Sequence, residues 1–345
     1  MTAEDSLFIR ACRRQAVERT PVWLMRQAGR SLPEYRALRE KWTLEQIVAQ
    51  PELCAEVTLQ PVRRLGVDAA VMFADIMLPL RGMGVDFELV ESVGPVIADP
   101  IRTSEAVNVL RTPPAAESVP QILEAIAIVT RESPVPVVCF SGGPFTLASY
   151  LIEGRPSRDF LMTKEFMYRQ PAAFDALLAK LAAVMFEYLS AQVRAGAQAL
   201  QLFDSWAGAL SPSDYRSRVL PHTKSIFDAS AILGVPRIHF GTNTAGLLEL
   251  IAGSGADVVS LDWRVDLDAG WKRVGHHLGV QGNLDPAALL GPKDVMVAAA
   301  RDVLRRAGGR VGHVFNLGHG VLPGSSIENL QALVETVHEG VPALA

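Results

Sequence analysis

The chain has 345 residues, 49% hydrophobic and 20% charged, a balance that can bury a large core and excludes a disordered or fibrous protein. Its net charge of −4 and the lack of any run of five Lys or Arg exclude a general nucleic-acid partner. No apolar run approaches the roughly 18 residues of a spanning helix, and Met1 to Arg14 lacks the apolar centre of a signal peptide, so no membrane partner and a soluble, cytoplasmic protein are expected.

In chain order, short apolar runs that end in polar or glycine residues predict strands. They are Thr20–Met25, Ala69–Ile76, Val135–Ser141, Ala197–Asp204, Pro236–Gly241, Asp257–Trp263, Gly279–Asn283 and His313–Gly318. Amphipathic stretches predict helices at Leu44–Leu65, Pro120–Arg131, Pro171–Ala195, Asp214–Leu233, Asp294–Ala307 and Ser326–His338. Such alternation implies an α/β fold with a parallel sheet, because parallel neighbours need crossover connections. Eight strand candidates favour one (β/α)8 TIM barrel, a single domain over residues 1–345, against an open doubly wound sheet. The segment from Arg81 to Pro114 shows no clear helix beside an alternating patch at 85–90, and reads as an excursion after the second strand.

A nucleotide site is not expected. No Gly-x-Gly-x-x-Gly follows the first strand, and Gly241-Thr-Asn-Thr-Ala-Gly246 continues with Leu247 and Leu248, where a phosphate loop needs Lys and then Ser or Thr. Cys12, Cys54 and Cys139 are an odd number and widely spaced, so buried or incidental thiols are expected rather than disulfides or zinc ligands.

In an α/β barrel the site lies at the C-terminal ends of the strands, so polar residues there carry most weight. These ends offer Arg26, Arg30, Asp75, Ser141, Asp204, Ser205, Asp262, Asn283 and His319. Arg26 and Arg30 follow an apolar strand closely, with Gly29 between them, and two guanidinium groups there suit carboxylates; the plain alternative is a pair of surface ion pairs. Asp75 stands in the apolar run Val71 to Pro79, where a buried carboxylate needs a partner of its own or a ligand. His319 sits between Gly318 and Gly320, which leave its ring room to reach a ligand. Tyr150 reads equally as a packed aromatic, and Ser205 lacks the Gly-x-Ser-x-Gly elbow of a nucleophile. No lysine ends a strand and no His/Cys cluster occurs, so a reaction without metal or cofactor is expected.

The stretch Thr20-Pro-Val-Trp-Leu-Met-Arg-Gln-Ala-Gly-Arg30-Ser-Leu-Pro-Glu-Tyr35 closely resembles the uroporphyrinogen decarboxylase family. Weaker matches follow in order at Phe73 to Ile76, Phe140 to Tyr150, Gln201 to Trp206, Gln281 to Pro286 and Asn316 to Gly320. The resemblance implies a (β/α)8 barrel, a homodimer, and cofactor-free conversion of the four acetates of uroporphyrinogen III to methyls. It further implies that Arg26 and Arg30 bind substrate carboxylates, with Gln27, Ala28 and Gly29 shaping that wall and Arg39 a further candidate. Asp75 matches the residue that holds the pyrrole N–H groups, and Tyr150, Ser205 and His319 match other substrate contacts. Arg26 is the first choice for a role in proton delivery, with Tyr150, His319 or a water held by Arg26 as alternatives. Two competing readings are a corrinoid- or thiol-linked methyltransferase on the same barrel, against which the lack of any His-x-Cys argues, and a non-catalytic porphyrin-binding protein.

Overall fold

The central sheet is parallel and seven-stranded. A computed structural model describes residues 5–90 and 93–340, and among them nine strands occur. In chain order these are β1 (Ala70–Val71), β2 (Phe87–Val90), β3 (Gly94–Ile97), β4 (Val137–Gly142), β5 (Ala199–Phe203), β6 (Arg237–Phe240), β7 (Val258–Ser260), β8 (Gly279–Gln281) and β9 (His313–Val314). The parallel sheet runs β1-β4-β5-β6-β7-β8-β9, each new strand pairing with the one before it, as at Ala70 with Val137 and Val138 with Ala199. Strands β4, β7, β8 and β9 are buried along their whole lengths, as expected of a parallel sheet covered by helices.

The expected strand Thr20–Met25 makes one parallel bridge, Val22 with Phe315, instead of a ladder. The cause is local. Pro21 has no N–H to give, the Leu24 N–H goes to Gln27 Oε1 at 3.0 Å, and the Met25 N–H goes to Asn316 Oδ1 at 3.0 Å. On its other side Val22 is tied to the residues before β1: its carbonyl accepts from the Asp68 N–H at 2.7 Å, and its N–H donates to Asp68 Oδ2 at 2.8 Å. Asp68 also accepts two guanidinium bonds from Arg19 at 2.7 and 2.8 Å and meets His338 Nε2 at 3.0 Å. Burial alone would raise the Asp68 carboxyl, but His338, Arg19 and the Val22 N–H together hold it below its usual range. Its stabilisation is therefore present above the ordinary carboxylate pKa and is lost as pH falls through the depressed value. Asp68→Ala is expected to cost about 2 kcal/mol, the scale for removing hydrogen bonds to a charged, partly buried group; an unchanged urea midpoint would refute this clamp.

Helices depart from expectation where prolines intervene. The stretch 44–65 divides into Leu44–Val48 and Pro51–Leu65, because Gln50, preceding Pro51, is held extended at φ −113°, ψ 105°. The stretch 214–233 contains a π-helical turn at Tyr215–Val219 just before Pro221 in the helix Leu220–Ser230. Helices Pro120–Glu132, Pro171–Arg194, Lys293–Ala307 and Ile327–Glu339 follow their predicted ranges to within a few residues. The segment after β1 holds the antiparallel hairpin β2–β3, apart from the main sheet, and a short helix at Ser104–Asn108 that the sequence did not reveal. All three cysteines are buried and free.

Candidate active site

A cavity of about 460 Å³ opens where the parallel strands end. Its wall includes Arg26, Ala28, Gly29, Arg30, Asp75, Tyr150, Ser205 and His319, so residues from five separate stretches of sequence meet in one place. Phe140, Phe203 and Phe240, at or near the ends of β4, β5 and β6, supply an apolar side, and Pro95 of the hairpin closes part of the rim.

Arg26 has φ +58°, a left-handed conformation that costs a residue with a Cβ about 1–2 kcal/mol. The chain is held there from both sides. Met25 is bonded to Asn316, while Gln27 is fully buried and donates from Nε2 to the Ala69 carbonyl at 2.9 Å. After the turn, Ala28, Leu32 and Tyr35 pack against Ile47 and Val57 in a small satellite core. The stem of Arg26 lies on Gly320, where a Cβ would stand 2.5–3.1 Å from the arginine Cδ, Cγ and Cβ. Gln27 thus braces the turn from behind and is not part of the cavity wall. Arg39 also lies outside it and donates to the Trp42 carbonyl at 3.0 Å.

Asp75 follows β1 and is half-buried, its Oδ1 accepting the Met77 N–H at 2.8 Å. Burial pushes its carboxyl above the usual range, opposed by the Met77 N–H and by the charge of Arg26. Tyr150, on the helix Pro144–Glu153, is pushed up to about 12 by burial and by Asp75, against Arg26, so it is a neutral phenol and a donor at neutral pH. His319 is pulled down to about 4 by burial and by Arg26 and Arg264, opposed by Asp262. Its Nδ1 accepts the Gly320 N–H at 2.7 Å, which assigns the remaining ring hydrogen to Nε2. Around the arginines the cavity therefore offers one carboxyl group and the neutral hydrogen-bond donors Tyr150, Ser205 and His319.

The other polar strand ends do not line the cavity. Asp204 is buried beneath it, Asp262 is tied to Arg264 at 2.8 Å and to the Asn243 N–H, and Asn283 donates to the Asp262 and Val265 carbonyls. The Ser141 hydroxyl is also buried out of reach. Sequence reasoning missed Tyr35, Pro95 and the phenylalanine wall. For the phenylalanines a signal existed: each of Phe140, Phe203 and Phe240 stands at or next to the end of a predicted strand. Among the described residues no group of three or more His, Cys, Asp or Glu could hold a metal ion, and no helix is long and apolar enough to cross a membrane.

The fold is similar to that of a methyltransferase from Methanosarcina mazei, with TM-score 0.79 over 96% of this chain and 97% of that one at 20% identity. A B12-independent methionine synthase from Shewanella sp. is more distant, at TM-score 0.58 and 12% identity over 86% of this chain and 90% of that one. These likenesses concern the fold alone. In sequence the chain is 53% identical to the uroporphyrinogen decarboxylase of Carboxydothermus hydrogenoformans, covering 97% of this chain and 96% of that protein. It is 52% identical to that of Thermus thermophilus, covering 98% and 99%. The uroporphyrinogen decarboxylase (URO-D) family model matches residues 3–340. With about half of its residues shared along nearly the whole length of these relatives, the chain belongs to the uroporphyrinogen decarboxylase family.

Proposed function

We propose that the protein removes the four acetate carboxyls of uroporphyrinogen III as CO2, leaving methyls and giving coproporphyrinogen III. The observation that carries this reading is the meeting of Arg26, Arg30 and Asp75 around one cavity, with the donors Tyr150, Ser205 and His319 beside them. The substrate is an octacarboxylate, which accounts for two arginines on the wall of an otherwise anionic protein.

Protonating a pyrrole on carbon makes the ring cationic. The carbon–carbon bond to the carboxylate then breaks, CO2 departs, and the ring accepts the electron pair. A second proton converts the exocyclic methylene to a methyl, and the ring carbon gives up the proton it gained. This chemistry requires no added electron sink, because the substrate contains one. Asp75 accepts the pyrrole N–H groups and acts as a fixed counter-charge to the cation that develops. Arg30 grips carboxylates. Arg26 grips a carboxylate and orients the solvent molecule that supplies the proton, since a guanidinium with a pKa above about 12 is itself a poor acid.

The same reading includes the remaining architecture. The segment 20–25 closes the seven strands into an eight-stranded barrel, supported by its bonds to Phe315 on one side and Asp68 on the other. Residues 1–345 act as one catalytic domain, two copies form a homodimer, and the enzyme works in the cytoplasm.

Arg30→Ala is expected to raise KM for uroporphyrinogen by roughly 10- to 100-fold, the loss of one charge-assisted contact, with kcat changed far less. Steady-state kinetics under anaerobic conditions measure it. A normal KM would remove Arg30 from the binding role.

A further inference from the structure

Beneath the cavity Asp204 is fully buried at the end of β5, and its Oδ1 lies 3.2 Å from the hydroxyl of Thr146. That hydroxyl accepts the Trp206 N–H at 3.1 Å, so its single hydrogen is left to donate to the carboxylate. The arrangement is directional: carboxylate, hydroxyl, then backbone amide of the residue after Ser205. Gly143 allows the close approach, because a Cβ there would stand 2.7 Å from Asp204 Oδ1. On the far side of Asp204, His239 Nε2 lies 3.8 Å from Oδ2 within the same buried interior.

Thr146 occupies the first turn of the helix Pro144–Glu153, and Tyr150 stands four residues on, on the same helix face. Trp206 is thus gripped twice by one face of one helix. Its N–H is held by Thr146, and its ring lies on the Tyr150 ring with centroids 4.0 Å apart; Phe160 backs it at 5.0 Å. Any rotation of the helix or shift of the loop at 204–206 that breaks the first contact moves the second. We infer that Thr146, anchored by Asp204, is a positioning residue that aims the Tyr150 phenol into the cavity through Trp206. The inference rests on the substrate-contact role given to Tyr150 above.

The test is a double-mutant cycle on the full-length enzyme, read as kcat for uroporphyrinogen with Thr146→Val, Tyr150→Phe and the pair together. Thr146→Val alone is expected to lower kcat by up to roughly 100-fold, the scale for misplacing a catalytic group by about an ångström. In the Tyr150→Phe background it is expected to add little, and Thr146→Ser, which restores the hydroxyl, is expected to recover turnover. Thr146→Ala removes the same hydroxyl and serves for the same comparison where the valine protein does not fold. If Tyr150→Phe is impaired but Thr146 costs the same factor in both backgrounds, the positioning role is overturned and the Tyr150 role stands. Wild-type turnover in Tyr150→Phe overturns both.

Discussion

Asp75→Asn is expected to lower kcat by roughly 1,000-fold, the upper range for removing one preorganised electrostatic contact to a developing charge, while leaving the protein at least as stable. The two halves of this result have one cause. Asp75 is a carboxyl whose burial outweighs the help it receives from the Met77 N–H and from Arg26, so its pKa is raised on folding. A carboxyl with a raised folded-state pKa binds its proton more readily in the native protein than in the unfolded chain. Its ionised form therefore costs stability at neutral pH, and that cost fades as pH falls through the raised value. Asparagine keeps an oxygen to accept the Met77 N–H at nearly the same place and removes the cost. It also removes the negative charge that stabilises a cationic pyrrole. Urea unfolding at neutral pH should give the variant a midpoint equal to or above that of the wild type. The wild-type pH profile of kcat/KM should lose activity on the acid side above the ordinary carboxylate range of about 4, and the residual activity of the variant should lack that limb. A destabilised variant with normal turnover would reverse the assignment.

Arg26→Gly is expected to reduce kcat/KM by roughly 100-fold or more, since one charge that grips substrate and faces Asp75, Tyr150 and His319 is lost. Its effect on stability should be small. Glycine relieves the φ of +58°, worth about 1–2 kcal/mol, but gains about 0.5–1 kcal/mol of chain entropy in the unfolded state. The difference, about 0–1.5 kcal/mol in favour of glycine, means that the wild-type residue is retained in an unfavourable conformation for its guanidinium rather than for the fold. Gly320→Ala is the companion variant. It leaves the guanidinium in place but drives a methyl into its stem, so kcat/KM should fall with Arg26 still present. Thermal unfolding and steady-state kinetics on both proteins measure this. A large loss of stability in Arg26→Gly with unchanged kinetics would make the turn structural.

The parallel sheet and the charged part of the cavity wall were legible in the sequence for a shared reason. An apolar run that stops at Arg26, and another that Asp75 interrupts, juxtapose burial and charge, and that contrast survives in one dimension. What was not legible depended on which side-chain and backbone partners each group takes in the fold. Thr20–Met25 has the composition of a strand, yet Gln27 and Asn316 side chains take the N–H groups a ladder would use. Gln27, adjacent to Arg26, was expected to shape the wall; its amide faces Ala69 instead, because the left-handed turn at Arg26 sends neighbouring side chains to opposite sides. Arg39 shares the cluster of arginines but lies on a helix, Pro33–Arg39, whose end turns it toward Trp42. The hairpin that brings Pro95 to the rim follows from no local pattern strong enough to tell its direction. Thr146 was hidden for the opposite reason: a threonine in an apolar helix is unremarked until its hydroxyl is found between Asp204 and Trp206.

The most direct test of the whole account is anaerobic incubation of the purified protein with uroporphyrinogen III, followed by mass analysis of the tetrapyrroles over time. The account predicts stepwise loss of CO2 through hepta-, hexa- and pentacarboxylate species to coproporphyrinogen, with no cofactor added. Tight binding of an octacarboxylate that is recovered unchanged would contradict it and leave a porphyrinogen-binding protein in its place.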